Sequence, residues 1–307
     1  MTREPVNLKA SVAQRLRNIA IDKKTDYQLI LRRYAIERLL YRLSVSPYRE
    51  KFVLKGAMLF TVWVEDPFRA TQDLDLLGIG KKDVDAVNEA LNAVCNLSVQ
   101  DDALAFDVKS MRMEVIKGQQ EEGGVRIKLM ALLDKTQIPV QIDIGFGDVI
   151  TPGAVEIDFP PLLGADAPKL KAYSKETVVA EKYQAIVALG QANSRMKDFY
   201  DLLALSRLFE FDGAQLRSAI KATFERRGTT IPDELPTGLS ATFSGDKQKN
   251  EQWKAFVERE PLGLAVGDLA DTIGEINSFV GPASEAARGI SEFQQIWPAG
   301  GPWRAKS

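Results

Sequence analysis

Asp73-Leu-Asp-Leu-Leu77 alternates carboxylate with leucine before closing on a second leucine. Successive side chains of a strand point to opposite faces, so the segment reads as a β-strand with leucines toward a core and Asp73 and Asp75 together on the other face. Upstream, Phe52-Val-Leu54 reads as a short strand running into Lys55-Gly-Ala57, and Met58–Val64 is apolar nearly all round, as a buried helix is. A loop, Glu65–Gln72, joins that helix to the acidic strand. Downstream, Val84, Val87, Leu91 and Val94 mark a helix over 82–95. Val125, Ile127, Leu129 and Ala131 mark a further strand, and Val140, Ile142 and Ile144 another, with Gln141 and Asp143 on its opposite face.

On either side of this core the pattern is helical. Leu8, Val12, Leu16 and Ile19 recur at helical spacing over 8–21. Leu31, Tyr34, Ala35, Leu39 and Leu43 form the inner stripe of a second helix, which Thr25 and Gln28 open in the manner of a capping box. Arg32, Arg33, Arg38 and Arg42 fall largely outside that stripe. Gly145–Pro161 is turn-rich, Leu170–Tyr173 is a short strand, and helices are expected over about 175–189, 194–208, 213–226, 248–258 and 266–279. Gly228–Asp246 reads as a linker and the Pro- and Gly-rich end after Trp297 as loose. The segments are then basic N-terminal helices at 1–50, a sheet core at 51–165, a helical domain at 166–290 and a flexible tail at 291–307.

Composition narrows the chemistry. The 307 residues include one cysteine and no histidine. That excludes Ser-His-Asp and Cys-His catalysis, histidine-ligated zinc and an internal disulfide. Carboxylates, lysine, arginine, hydroxyls and an oxygen-bound metal remain. Net charge is −2, yet residues 1–55 hold 13 Lys/Arg against 5 Asp/Glu. Two readings of that basic stretch stay open, a grip on phosphates or a helical pair with a solvated polar face. No run of about eighteen apolar residues occurs, and Met1-Thr-Arg-Glu-Pro5 lacks the apolar core of a secretory leader. A cytoplasmic protein without membrane contact is expected.

Two carboxylates one residue apart on a strand repel unless a cation sits between them. Hard oxygens in that arrangement suit Mg²⁺, which favours carboxylates, waters and substrate phosphate, and Asp143 could supply a third oxygen. Gly56 permits close backbone approach to a phosphate, and the loop Arg69-Ala-Thr71 could position phosphate or the acidic strand. A second constellation comprises Glu181-Lys182 and Asn193-Ser-Arg-Met-Lys-Asp-Phe-Tyr-Asp201. Lys182, within an apolar helix, either snorkels to solvent or points into a cleft. Asp198 and Asp201 share a helix face, and read alone they are surface charges on a helix capped by Ser194, with Lys197 and Asp201 paired.

Gly56-Ala57 followed by Asp73-Leu-Asp75 resembles the signature of the minimal nucleotidyltransferases related to DNA polymerase β. Lys182 followed by Arg195-Met-Lys-Asp198 resembles the second signature of a narrower group. With Glu37-Arg-Leu-Leu-Tyr-Arg-Leu43 and Phe52-Val-Leu-Lys-Gly56, about residues 8–210 are similar to the AbiEii/AbiGii nucleotidyltransferase toxins, which include the MenT toxins. The resemblance implies an α+β fold, with a mixed-sheet nucleotidyltransferase core flanked by the N-terminal helical pair and a C-terminal helical domain. It implies transfer of a nucleoside monophosphate from an NTP with release of pyrophosphate, in a bacterial toxin–antitoxin or abortive-infection setting. Several such toxins act on the 3′ acceptor end of tRNA and stop translation, and a cognate antitoxin protein is implied as partner. Carried onto this chain, Asp73 and Asp75 hold Mg²⁺, with Asp143 as the variable third ligand. Lys55, Gly56, Ala57, Arg69, Thr71 and Arg195 surround the NTP. Lys182 meets phosphate and the leaving pyrophosphate, and Asp198 orients Lys182 or the acceptor. Ala57 stands where many of these enzymes carry serine or glycine, so a hydroxyl is missing while the backbone donor remains.

Two competing readings are a nucleotidyltransferase that modifies a small molecule or a protein hydroxyl, and a non-catalytic module that binds NTP or RNA. Clustered like charges have no physical use in an inactive relic, which favours the enzyme.

Overall fold

The structure, a computed structural model, describes residues 7–64, 73–116, 123–259, 264–289 and 292–306. The chain divides into two compact units, one of residues 1–147 and 155–172, the other of 148–154 and 173–307.

The first unit runs α1 (Leu8–Asp22), α2 (Tyr27–Ser44), β1 (Phe52–Lys55), α3 (Leu59–Trp63), β2 (Asp73–Gly78), α4 (Val84–Cys95), β3 (Leu104–Ile116), β4 (Gly124–Leu133), β5 (Thr136–Phe146), β6 (Val155–Asp158) and β7 (Lys169–Ala172). Its seven strands form one mixed sheet in the order β3-β4-β5-β2-β1-β7-β6. β2 lies parallel to β5 and antiparallel to β1. The alternation that marked β2 acts as expected: Leu74 and Leu76 are buried, as are Val125, Ile127, Ile142 and Ile144 on the neighbouring strands. Full burial of each such side chain contributes about 1.5–3 kcal/mol. α2 packs against β5 and β7.

Asp26, not Thr25, caps α2, its side chain accepting from the Gln28 N–H at 2.7 Å. The arginines of α2 also depart from expectation. Arg38 and Arg42 are buried. Arg42 forms a two-pronged pair with Asp102 at 2.6 and 3.0 Å, and Arg38 pairs with Glu37 at 2.9 Å while donating to the Asp166 carbonyl. Part of the basic N-terminal charge therefore serves the interior rather than a solvated face. β3 and β6 lie where no strand was expected. β3 is interrupted by a bulge between Asp107 and Arg112, which destroys the period-2 signal, and β6 is mostly exposed, so it carries no apolar pattern.

The second unit contains α5 (Lys175–Leu189), α6 (Met196–Leu208), β8 (Phe211–Asp212), α7 (Gly213–Arg226), α8 (Ala241–Ser244), α9 (Lys247–Arg259), α10 (Leu269–Arg288), β9 (Gln295–Trp297) and β10 (Arg304–Ala305). The stretch read as a linker lies wholly inside this unit. Its Leu239 and Phe243 are buried, and Phe243 stacks on Phe199 with ring centroids 5.3 Å apart. The end read as a flexible tail is built in too: β9 pairs with both β8 and β10. Trp297 is buried against Phe279 and Trp303, and its indole N–H donates to the Ser206 carbonyl at 2.6 Å. Three aromatic rings outweigh what Pro298, Gly300 and Gly301 suggest about looseness. Among the described residues no helix is long and apolar enough to cross a membrane.

Candidate active site

In the first unit, strand register places Lys55 opposite Asp75 and Asp75 opposite Asp143, so the three share one row and one face across β1, β2 and β5. Asp73 is two residues back on the same face, opposite Gln141. Both β2 carboxylates are half-buried while their leucine neighbours are buried, as the alternation requires. The Lys55 side chain lies across this face, its Nζ 3.3 Å from where a Cβ at Gly145 would sit.

Gly56 is tied directly to the acidic strand. Its φ is +76°, a left-handed conformation that disfavours any side chain, and a Cβ there would lie 2.1 Å from Oδ2 of Asp75. Glycine turn and carboxylate are thus one packed feature. Gly56→Ala is expected to displace the Asp75 carboxylate and lower transfer at least tenfold, with a stability loss of only about 1 kcal/mol from the backbone. Parallel rate and urea-unfolding measurements check this; a fully active variant would refute it. Ala57 lies in the tight turn Gly56–Met58 that follows, ahead of the short α3. A helix of five residues has little macrodipole, so the glycine turn carries the phosphate-binding reading here.

Asp143 is engaged by Arg126 of β4, Nε to Oδ1 at 2.8 Å and Nη2 to Oδ2 at 2.7 Å. The hydrogen bond to Asp143 raises the guanidinium pKa above its ordinary value. Arg126 was not singled out from the sequence; its only signal was the polar phase of an alternating strand. Among the described residues no three acidic side chains gather closely enough to cage a metal ion. The Asp73–Asp75 pair nevertheless fits Mg²⁺, which takes one or two carboxylates and completes its shell with water and phosphate oxygens. Arg69 and Thr71 lie outside the described residues. The lone thiol, Cys95, is buried, and burial pushes it up to about 12, which removes it as a nucleophile.

In the second unit, Lys182 of α5 points at α6, its Nζ 3.0 Å from Oδ1 of Asp198 and 2.6 Å from Oδ2 of Asp201. Arg195 Nε meets the other Asp198 oxygen at 2.7 Å. Asp198 has no exposed side-chain surface, whereas the Lys182 side chain keeps 16% and Arg195 45%. Burial alone would raise the Asp198 pKa, but Lys182 and then Arg195 outweigh it and hold the carboxyl below the usual range. Lys182 therefore does not snorkel, and Asp198 and Asp201 are not surface charges. Ser194 does not cap α6 either: Arg195 holds the cap position without a side-chain bond, and the Asn193 side chain accepts the Arg195 N–H at 2.8 Å. Asp201 joins the constellation as a second partner of Lys182. A further polar group, in which Arg227 meets Asp148 at 3.2 Å and Glu181 at 3.0 Å, explains the Glu181 beside Lys182.

Both constellations fall within residues 38–273, which match the family model described as nucleotidyl transferase AbiEii toxin, type IV TA system. The chain belongs to the AbiEii nucleotidyltransferase toxin family. It is a nucleotidyltransferase, joining an NMP from an NTP to an acceptor with release of pyrophosphate. The match leaves out α1 of this AbiEii protein and extends well past residue 210, where the sequence motifs end. Among solved structures, it is similar to JHP933 from Helicobacter pylori at 15% identity, covering 86% of this chain and 93% of that one, with a TM-score of 0.48. It is likewise similar to MenT4, a nucleotidyltransferase toxin from Mycobacterium tuberculosis H37Rv, at 17% identity, covering 91% and 97%, with a TM-score of 0.49. No curated protein matches it.

Proposed function

We propose that this enzyme acts in the cytoplasm as the toxin of a bacterial toxin–antitoxin or abortive-infection pair, adding NMP to the 3′ acceptor end of tRNA and so blocking translation. A cognate antitoxin restrains it. The packing of Gly56 against the Asp75 carboxylate carries this reading, because it ties a phosphate-approach turn to the acidic strand. When bound, Mg²⁺ held by Asp73 and Asp75 supplies charge neutralisation for the triphosphate. Asp143, which Arg126 holds, would be the further oxygen donor to that ion. The glycine turn, Ala57 N–H and the Lys55 ammonium hold phosphate oxygens. The acceptor hydroxyl oxygen bonds to the α-phosphorus and the α–β phosphoanhydride bond breaks. Pyrophosphate leaves with the bonding pair, and the hydroxyl proton passes to water. Lys182, oriented by Asp198, is the second unit's cation for phosphate charge. None of these roles needs imidazole, consistent with a chain without histidine.

RNA is favoured as acceptor by the exposed cations that remain on and after α1: Lys9, Arg15, Arg17, Lys23 and Lys24. Periodate oxidation, which destroys the 3′-terminal diol of tRNA, is expected to abolish label transfer from α-labelled NTP. Undiminished labelling of oxidised tRNA, or label found in protein or small molecules instead, would overturn the 3′-end assignment.

A further inference from the structure

The face that carries Asp73 continues into a cavity of about 420 Å³, lined by Asp73, Arg32, Ser110, Arg112, Lys128 and Gln141 among others. That volume lies within the roughly 300–1,000 Å³ of small-ligand pockets, enough for a nucleotide-sized group. Its lining sets three cations against one carboxylate. Among the described residues the Arg112 guanidinium bonds only main-chain carbonyls, of Lys109 at 3.1 Å and Met111 at 2.9 Å. Lys128 meets Glu114 at 3.4 Å, with both side chains more than half exposed, a weak pairing.

The local structure shapes this pocket. The β3 bulge ends at Arg112 and is pinned by Ser110, whose hydroxyl donates to the Asp107 carbonyl at 2.6 Å and accepts the Met130 N–H at 2.8 Å. Bulges beside active sites commonly re-aim a side chain. Among the described residues the pairing of β5 with β2 runs from Gln141 to Phe146, and Pro139, which has no N–H to offer, lies opposite Met130 of β4. Register places Asp73, Gln141, Lys128 and Arg112 in one row across β2, β5, β4 and β3, and all four line the cavity.

Sheet order fixes the direction. Gly56 follows β1, on one side of β2, while the cavity lies over β5, β4 and β3, on the other. In an in-line displacement the attacking and leaving oxygens are on opposite sides of the phosphorus. With the triphosphate over the Gly56 turn, attack comes from the β5 side. We propose that this cavity seats the terminal nucleotide of the acceptor RNA, with Arg112 and Lys128 on its phosphodiesters. The assignment rests on the RNA reading above, and neither a neutral small molecule nor an uncharged peptide would use these cations.

The test is fluorescence anisotropy of a labelled single-stranded oligoribonucleotide ending in CCA, titrated with the full chain at several salt concentrations. Arg112→Glu and Lys128→Glu are each expected to weaken binding roughly tenfold or more. Each should also reduce the slope of log K against log salt by about 0.7 or more. Lys82→Glu, the same charge change at another exposed site, should stay within about twofold, and affinity for a fluorescent NTP analogue should be unchanged in all three. Wild-type binding that Arg112→Glu and Lys128→Glu leave intact would overturn the pocket assignment alone. Absence of RNA binding by the wild type at low salt would overturn the RNA reading, and the assignment with it.

Discussion

Asp75→Ala abolishes nucleotidyl transfer and leaves the protein folded: that is the expected result, with a fall of at least about 10³-fold in rate. Asp75 contributes to two parts of the site. It shares the β2 face with Asp73, and it is the group against which Gly56 packs. Its loss removes the carboxylate proposed to hold Mg²⁺ and the wall of the glycine turn together. Stability should change by no more than about 1 kcal/mol, since the carboxylate is half-buried and carries a like charge beside Asp73. Steady-state transfer assays beside urea unfolding separate the two effects. Asp75→Asn, which keeps shape and removes charge, should behave as the alanine variant does. Full activity in either variant would remove Asp75 from the chemistry.

Lys182→Met has a different expected profile, because it strikes stability and transfer together. It leaves Asp198 and Asp201 buried with Arg195 as the remaining cation on Asp198. Breaking a buried pair from one side costs about 3–5 kcal/mol, most of it from the stranded charge. Pairing Lys182→Met with Asp198→Asn should therefore cost less than the sum of the two single changes. The pH dependence gives the sign. In the wild type the Asp198 carboxyl is held below its ordinary value, so its stabilising contribution is present above the unfolded value and is lost as pH falls through the folded one. Without Lys182, burial dominates and the same carboxyl rises. The variant's deficit should thus be larger at pH 7 than at pH 4 in urea titrations. An equal deficit at both would mean that the Lys182–Asp198 charge pair is not what was lost.

These two sites were legible to different degrees. The acidic strand could be read because leucines alternate with carboxylates, and the two phases go to opposite environments. The roles given to Lys182 and Asp198 came from motif resemblance alone. The burial of these two residues could not be read, since the polar residues of α5 do not gather on one face against which to judge a lysine. Asp201 was read as a surface charge because i,i+4 spacing to Lys197 offers a local explanation, while its partner Lys182 comes from another helix. Arg38 and Arg42 failed for a similar reason: their partners Asp166 and Asp102 are distant in sequence. β3 was lost to its bulge, and the C-terminal strands to a Gly- and Pro-rich composition that hides three interlocking aromatic rings. Apart from the bulge, a long-range contact overrode a local pattern each time.

The proposed nucleotidyl transfer to RNA depends on Asp73 and Asp75. Its most direct measurement incubates the purified chain with Mg²⁺, total tRNA and each α-labelled NTP in turn, followed by denaturing electrophoresis. The expected result is label on tRNA from at least one NTP, absent from the Asp75→Ala protein. No labelled RNA with any of the four, or equal labelling by the variant, would contradict the account.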